Sequence, residues 1–400
     1  MAKMASDIVI IGGGIAGLAI ATELKLRKAG SVIVLEKDYI GSGNSTRSVG
    51  RTRTMQLTES LTKIAIKYQE KINKIGDDFG FNVLFRRGGY ALLLYDDDEV
   101  ALMRKVCAMH NRLGVKSELL GPEDTLRLMP VLREGEPVKG ALFNSKDASI
   151  HHDPIVWAYH QKATELGCSI HQGCEVKKVF VKNAQITGVD TTQGSIDTRI
   201  IVNAAGPSSS DIARLAGITI PTAPLRREAM VTMPIKHVTD CVCTFYRPTE
   251  GWFNQTMRGE FIAGAVSAEE KFGYNRATSF DFPIRTSTIL MRKAPILGDL
   301  KITRCWAGMY DITPDHLPLI GQSKDIKGFY QLNGWSARGL SMAPYASELL
   351  AHEIITGDKP DLLKPFNPDR FERKKRVVEI EEDYYARYVE DDEEVPLMSN

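Results

Sequence analysis

The first thirty-six residues alternate between apolar blocks and short polar breaks. DIVII is a continuous apolar run, GGGIAG a glycine turn, LAIATELKLRKAG a helical pattern closed by Gly30, and SVIVLE a second apolar run ending on Glu36. That order predicts strand, turn, helix, strand, both strands being buried on two faces. Further on, residues 59–79 carry a helical period, and 83–95 read as a strand pair. A helix opens on DDDEV, and another runs from Pro154 to Leu166, with Asp153 read as its N-cap and Gly167 at its end. The stretch from Cys168 to Gly206 predicts a strand, a β-meander and a return strand into NAAG. Between about 220 and 310 the pattern changes to short alternating strands (REAMVTM, CVCTFY, GWFNQTM, EFIAGAV). A mainly antiparallel sheet, and hence a second domain, follows from that change. Strands and a long helix then return to the first domain.

The fold class expected is α/β plus antiparallel β: a Rossmann-like nucleotide-binding domain with a second, antiparallel-sheet substrate domain, built from discontinuous segments. The divisions expected are 1–82, 140–220 and 311–375 for the first domain, 83–139 and 221–310 for the second, and 376–400 as an acidic C-terminal tail. Residues 377–400 carry nine acids against the single base Arg387.

Four hundred residues, 43% of them hydrophobic, suffice for a large core. Lys+Arg 51 against Asp+Glu 50 provides no field for nucleic acid or an anionic membrane. Six scattered cysteines form no CxxC pair, which reads as a reduced, cytoplasmic protein. The run Ile8–Ile11 is too short for a signal or a membrane span. No metal site is expected. His151 and His152 are adjacent, so they do not readily converge on one ion, and the DDD of DDDEV suits a helix dipole better than a cation loop.

Gly12, Gly14 and Gly17 have the spacing G-x-G-x-x-G. The first suits a tight turn, the second close approach of a pyrophosphate, the third close packing of helix on strand. Glu36 ends the second strand, where it can accept both hydroxyls of a ribose. A lone glycine fingerprint is weak, but strand, helix, second strand and acid occur here together. A polar loop follows (residues 40–56), rich in Gly, Ser and Arg, as phosphate contacts require.

At VIIGGGIAG…VIVLEKDYIGSGNSTRS, at NAAG, and at WAGMYDITPDHLPLIG…GW…GLSMAP the chain resembles the glycine oxidase/sarcosine oxidase group of FAD-dependent amine oxidoreductases. Within it the likeness is nearest to the β subunits of heterotetrameric sarcosine oxidase and archaeal dye-linked L-proline dehydrogenase. The resemblance implies FAD, held by Gly12, Gly14, Ile15, Ala16 and Gly17, with Glu36 and Lys37 at the ribose. Gly43, Asn44, Ser45 and Arg47 would run along the pyrophosphate and flavin, and the backbone of Val176 would meet adenine. Ala205, Gly206 and the helix start Gly339, Leu340, Ser341 and Met342 complete the implied set. A nicotinamide dinucleotide alone is the competing cofactor.

The resemblance also implies hydride loss from the Cα of a small secondary or N-methylated amino acid, L-proline or sarcosine being the types, with Arg53 as the clamp on its carboxylate. Tyr246, Trp252, Tyr274 and Tyr310 are candidate pocket residues. Covalent oxidases of the group carry a flavin-linked cysteine where this chain has Gly308, so FAD is expected to be non-covalent. Oxidases place a lysine where Ser341 stands, so a dehydrogenase using a non-oxygen acceptor is expected. His152 matches a histidine that bonds FMN at a subunit interface, which implies a partner subunit. A flavoprotein relay subunit of a heteromeric complex, or an oxidase producing hydrogen peroxide, are the alternatives.

Overall fold

The computed structural model describes residues 4–373 apart from 248 and 268. The acidic tail therefore lies outside the described residues. A six-stranded sheet runs in the order Ser169–His171, Val32–Leu35, Ile8–Ile11, Ile200–Asn203, Phe329–Asn333, Leu319–Gln322. Its first five strands are parallel, and the last is antiparallel. Both faces of the central strands are covered: Ile8, Ile10, Val32 and Val34 pack under the helices Ile15–Leu26 and Gly339–Thr356, while Val9, Ile11, Ile33 and Leu35 pack on the meander side. That double burial is why these strands read as unbroken apolar runs.

The meander Val176–Lys182, Gln185–Thr191, Gly194–Asp197 forms its own small sheet, and Ile200–Asn203 returns beside Ile8–Ile11. A buried amide network secures the return. Asn203 Nδ2 donates to Ser209 O (2.9 Å) and Gln331 Oε1 (2.9 Å), and Asn333 Nδ2 donates to Gln331 Oε1 (2.6 Å) and Asn203 O (3.1 Å).

The second sheet has eight strands: Ile302–Ile312, Ala223–Thr232, Phe261–Ala265, Gly251–Gln255, Val242–Phe245, Tyr90–Leu94, Gly140–Asn144 and Glu118–Leu120. Its pairings are antiparallel except that between Val242–Phe245 and Tyr90–Leu94. Gly140–Asn144, assigned from sequence to the nucleotide domain, therefore pairs in the other sheet.

Three local readings are corrected. Residues 59–79 form two helices, Glu59–Ile72 and Ile75–Phe79, and the break lets Ile72 and Ile75 both reach the core. The expected strand pair at 83–95 is not a pair: Arg86–Arg87 joins a three-stranded sheet with Ala148–Ser149 and Arg51–Thr52, and Tyr90–Leu94 joins the large one. The chain changes sheets at Gly88–Gly89, where a Cβ on Gly88 would stand 2.1 Å from Asp240 O and Gly89 has φ +78°. The helix expected from Pro154 begins two residues earlier, at His152. His151, not Asp153, is its N-cap, its Nδ1 accepting from Asp153 N at 3.3 Å. In the helix Asp97–Arg112, Asp96 is the cap and accepts from Glu99 N (2.7 Å), the helix-end role expected of that acidic run.

Among the described residues no helix is long and apolar enough to cross a membrane.

Candidate active site

A cavity of about 690 Å³ runs along the carboxyl ends of the parallel strands and on between the two sheets. That is where open α/β sheets bind ligands, at the point where strand order reverses. At one end it is built by the first β-α-β unit. Gly12 has φ +115°, and a Cβ there would lie 2.4 Å from Ala204 O, so only glycine turns this corner. A Cβ on Gly17 would lie 1.9 Å from Gly12 O, which is the close helix–strand packing expected of it. Gly14 differs. Its Cβ would meet only Ser45 Oγ, at 3.0 Å, because Gly14 faces the cavity.

The helix Ile15–Leu26 starts without a cap from the Gly14 position, and Ser45 Oγ accepts from Ile15 N at 3.0 Å. Glu36 is buried on the wall. Its Oε2 accepts from Gly13 N (2.8 Å), and Oε1 accepts from Asp38 N (2.9 Å) and Ser42 Oγ (3.2 Å). Three donors thus hold the carboxylate rigidly at the cavity edge, where it has acceptor capacity left for ribose hydroxyls. Lys37 Nζ reaches Ser208 Oγ at 3.3 Å. Gly12, Gly14, Ile15, Ala16, Glu36, Lys37, Val176, Ala205 and Gly206 all line this end, whereas Gly17 lies beneath it.

The middle of the cavity is walled by the loop after Glu36. Arg47 Nη1 donates to Gly43 O (2.6 Å) and to Ser42 O, folding the loop on itself. Asn44 Oδ1 accepts from Met309 N (2.7 Å), and Trp306 Nε1 donates to Arg47 O (3.0 Å), which stitches the loop to the strand Ile302–Ile312. Gly308 sits under that seam, where a Cβ would meet Asn44 Oδ1 at 2.5 Å. Gly43, Asn44, Ser45 and Arg47 line the cavity, as does Gly308. Cys305 does not. It is half-buried and packs on the apolar core of the eight-stranded sheet, with burial raising its thiol pKa.

Opposite stands the second helix N-terminus. Ser336 and Ala337 have φ +43° and +78°, a left-handed entry that aims Gly339–Thr356 at the cavity, and Arg338 at its N-cap provides no side-chain cap. Such strained residues cluster at sites where backbone N–H groups are presented to a ligand. Gly339, Leu340 and Ser341 line the wall, and Ser341 Oγ donates to Arg338 O (3.1 Å). Met342 does not line it: this side chain points into the core beneath the helix. Arg338 Nη1 donates to His316 O (3.0 Å) and Ser336 O (3.2 Å) and so braces the loop from behind. Burial, then Arg338 and Arg227, hold His316 down to about 4, so it is neutral. Asp315, in the WAGMYDITPDHLPLIG stretch, is structural: both its oxygens accept from Arg370, from Nε at 2.7 Å and Nη2 at 2.8 Å.

The far end lies against the eight-stranded sheet and is aromatic and cationic. Tyr90, Tyr246, Trp252 and Tyr310 line it, together with Arg51, Arg53 and Glu250. The Arg53 guanidinium lies 5.4 Å from the Tyr90 ring centroid. The segment carrying it is fixed by Asp147, whose Oδ1 accepts from Thr54 N (2.8 Å) and Thr54 Oγ1 (2.7 Å). Burial pushes the Asp147 carboxyl up to about 6, against those bonds and Arg53. Arg51 was not anticipated. It precedes Arg53 by two residues, a spacing that places both on one side of an extended chain, and only its partners Thr244 and Trp252 reveal it. Tyr274 lines the nucleotide end instead, its hydroxyl on Pro207 O (2.7 Å) and Asp211 Oδ2 (2.6 Å).

His152 is not on the cavity wall. Its Nε2 lies 3.3 Å from Asp153 Oδ1, its ring 4.7 Å from that of His151, and burial, His151 and Arg304 outweigh Asp153 to lower its pKa. The adjacent histidines do converge, contrary to expectation: ligand atoms of His151, His152 and Asp153 lie within 4.8 Å of one another. The helix N-terminus and Arg304 oppose a cation there.

Residues 7–353 match the family described as FAD dependent oxidoreductase (DAO). The sarcosine oxidase subunit beta of Rhodobacter capsulatus is 27% identical over 381 residues, 94% of this chain and 91% of that one. Its counterpart from Rhizobium meliloti is 30% identical over 378 residues, 92% of this chain and 88% of that one. The crystal structure of L-proline dehydrogenase from P. horikoshii superposes with a TM-score of 0.87 at 34% identity, covering 93% of this chain and 99% of that one. With a glycine cradle that a Cβ would fill and two helix N-termini aimed at one cavity, the chain belongs to the DAO family of FAD dependent oxidoreductases.

Proposed function

We propose that the protein oxidises the Cα–N bond of a secondary or N-methylated amino acid, of the L-proline or sarcosine type. The observation that carries this reading is a guanidinium, Arg53, set among aromatic rings in the same cavity as the dinucleotide cradle. Arg53 would hold the substrate carboxylate by a charge-assisted pair. Tyr90, Tyr246, Trp252 and Tyr310 would enclose the carbon chain and exclude water. FAD, when bound, supplies the two-electron acceptor. The names of the relatives, sarcosine oxidase subunit beta and L-proline dehydrogenase, agree with this substrate class. Turnover of an amino-acid panel by the purified chain with a redox dye tests it.

The cofactor is held without a covalent bond at Gly308 in this reading, because Asn44 Oδ1 occupies the space that a side chain would need. The acceptor is not oxygen. Ser341 supplies no cation beside the uncapped helix start, and a fast reaction with oxygen needs charge to stabilise superoxide. Ser341→Lys is therefore expected to speed reoxidation by oxygen in stopped flow. A rate no faster than the parent's would remove this explanation.

A relay role within a heteromeric complex is the second reading, favoured by the relatives named as β subunits and by His152 lying outside the substrate cavity. A flavin-loaded chain that turns over nothing alone supports it. In that setting His152, half-buried and with its pKa lowered chiefly by burial, would bond FMN when a partner subunit closes over it. The intact mass of the chain denatured from a co-expressed complex is expected to exceed the bare polypeptide by one FMN. A bare mass excludes the covalent bond.

A further inference from the structure

Two arginines flank one tyrosine at the substrate end of the cavity. Arg51 Nη1 lies 3.3 Å from the Tyr90 hydroxyl, and the Arg53 guanidinium stands 5.4 Å from the ring of the same residue. Arg51 Nη1 also donates to Thr244 Oγ1 at 2.7 Å, and its guanidinium faces Trp252 at 4.6 Å. These partners orient Arg51 without neutralising it. Across the chamber, Arg227 lies 5.8 Å from the Tyr310 ring, and its Nη1 bonds the carbonyl of Arg226 (3.1 Å). The half-buried Tyr310 phenol feels these charges: burial raises its pKa, Arg51 and Arg227 pull it down, and Glu250 and Tyr90 push it up.

One amino-acid carboxylate is satisfied by one bidentate guanidinium. Adjacent, partly desolvated guanidiniums repel each other, and each gains most from its own anion. Tyr90 also separates the two: Arg51 approaches its hydroxyl, Arg53 its ring face.

We infer that Arg51 binds a second anionic group of the substrate, so that the protein acts on secondary amino acids bearing a second carboxylate, the α-carboxylate resting on Arg53. The inference rests on the function proposed above and narrows it. The Cα hydrogen of the neutral amine leaves with its electron pair as hydride to FAD, the nitrogen lone pair forms the C=N bond, the N–H proton is released, and the non-oxygen acceptor proposed above reoxidises the flavin. Water then hydrolyses the imine to an oxo acid and an amine.

The test is calorimetric binding of two thioethers to the FAD-loaded protein: 2,2′-thiodiacetate, with two carboxylates, and (methylthio)acetate, with one. Neither contains an amine, so binding is read without turnover. The wild type is expected to prefer thiodiacetate by about tenfold or more, the value of one added charge-assisted contact. Arg51→Gln, which keeps a donor for Thr244 and Tyr90, is expected to bring that ratio close to one. The ratio of kcat/KM for iminodiacetate over sarcosine is expected to collapse in parallel.

A wild type that binds both thioethers alike overturns the inference. So does an Arg51→Gln protein that weakens both equally, which would make Arg51 part of a clamp on a single carboxylate. In either case oxidation of sarcosine or L-proline leaves the proposed function standing. Binding of neither thioether, with no secondary amine reducing the flavin, removes both.

Discussion

Gly14→Val is expected to give a folded protein that has lost its flavin. Gly14 has extended backbone (φ −83°, ψ −177°), which valine adopts without strain, and a Cβ there meets only Ser45 Oγ at 3.0 Å. The added isopropyl group would stand in the cavity, in front of the N-terminus of the helix Ile15–Leu26. That is the space a pyrophosphate needs in order to reach the backbone N–H groups. Gly12 and Gly17 make poorer tests, because their Cβ atoms would strike backbone oxygens at 2.4 Å and 1.9 Å and the fold itself would fail. Flavin absorbance relative to protein, with circular dichroism for the fold, measures the effect. A full flavin band in the variant would show that this turn does not carry the pyrophosphate.

Arg53→Ala should leave the flavin spectrum intact and raise KM for an amino-acid substrate by roughly 30- to 150-fold, the equivalent of ~2–3 kcal/mol for a lost charge-assisted pair. Arg53 lies beside Tyr90 at the aromatic end of the cavity, away from the glycine cradle, so cofactor and substrate effects separate. Its backbone neighbours remain tied to Asp147, so the alanine variant should keep the local fold. Steady-state kinetics with the best substrate of a panel decides the matter, and unchanged kinetics would remove Arg53 from the site.

Much of the nucleotide end was legible because its signals are local. Strand, glycine turn, helix and terminal acid follow one another within residues 8–36, and each glycine's role depends on near neighbours or on one returning strand. The substrate end was harder. Tyr90–Leu94 and Val242–Phe245 lie far apart in sequence, and their parallel pairing brings Tyr90 level with Val242, two residues before Thr244. Nothing local announces that contact. Arg51 became visible only through Thr244 and Trp252, which that pairing and the next one supply. Met342 belongs to the helix start that the resemblance implies for its backbone N–H groups, and its side chain turns into the core. The start of the helix at His152 was misplaced because Asp-Pro is a strong capping signal, whereas the imidazole of His151 accepts the bond instead.

In the proposed reaction, cofactor and secondary amino acid meet in one cavity. Anaerobic titration of the FAD-loaded protein with a panel of amino acids tests it most directly, read as the flavin absorbance. Secondary or N-methylated amino acids should bleach the flavin fully, and Arg53→Ala should need far higher concentrations to do so. A flavin that stays oxidised with every member of the panel, in a protein fully loaded with FAD, would contradict the account.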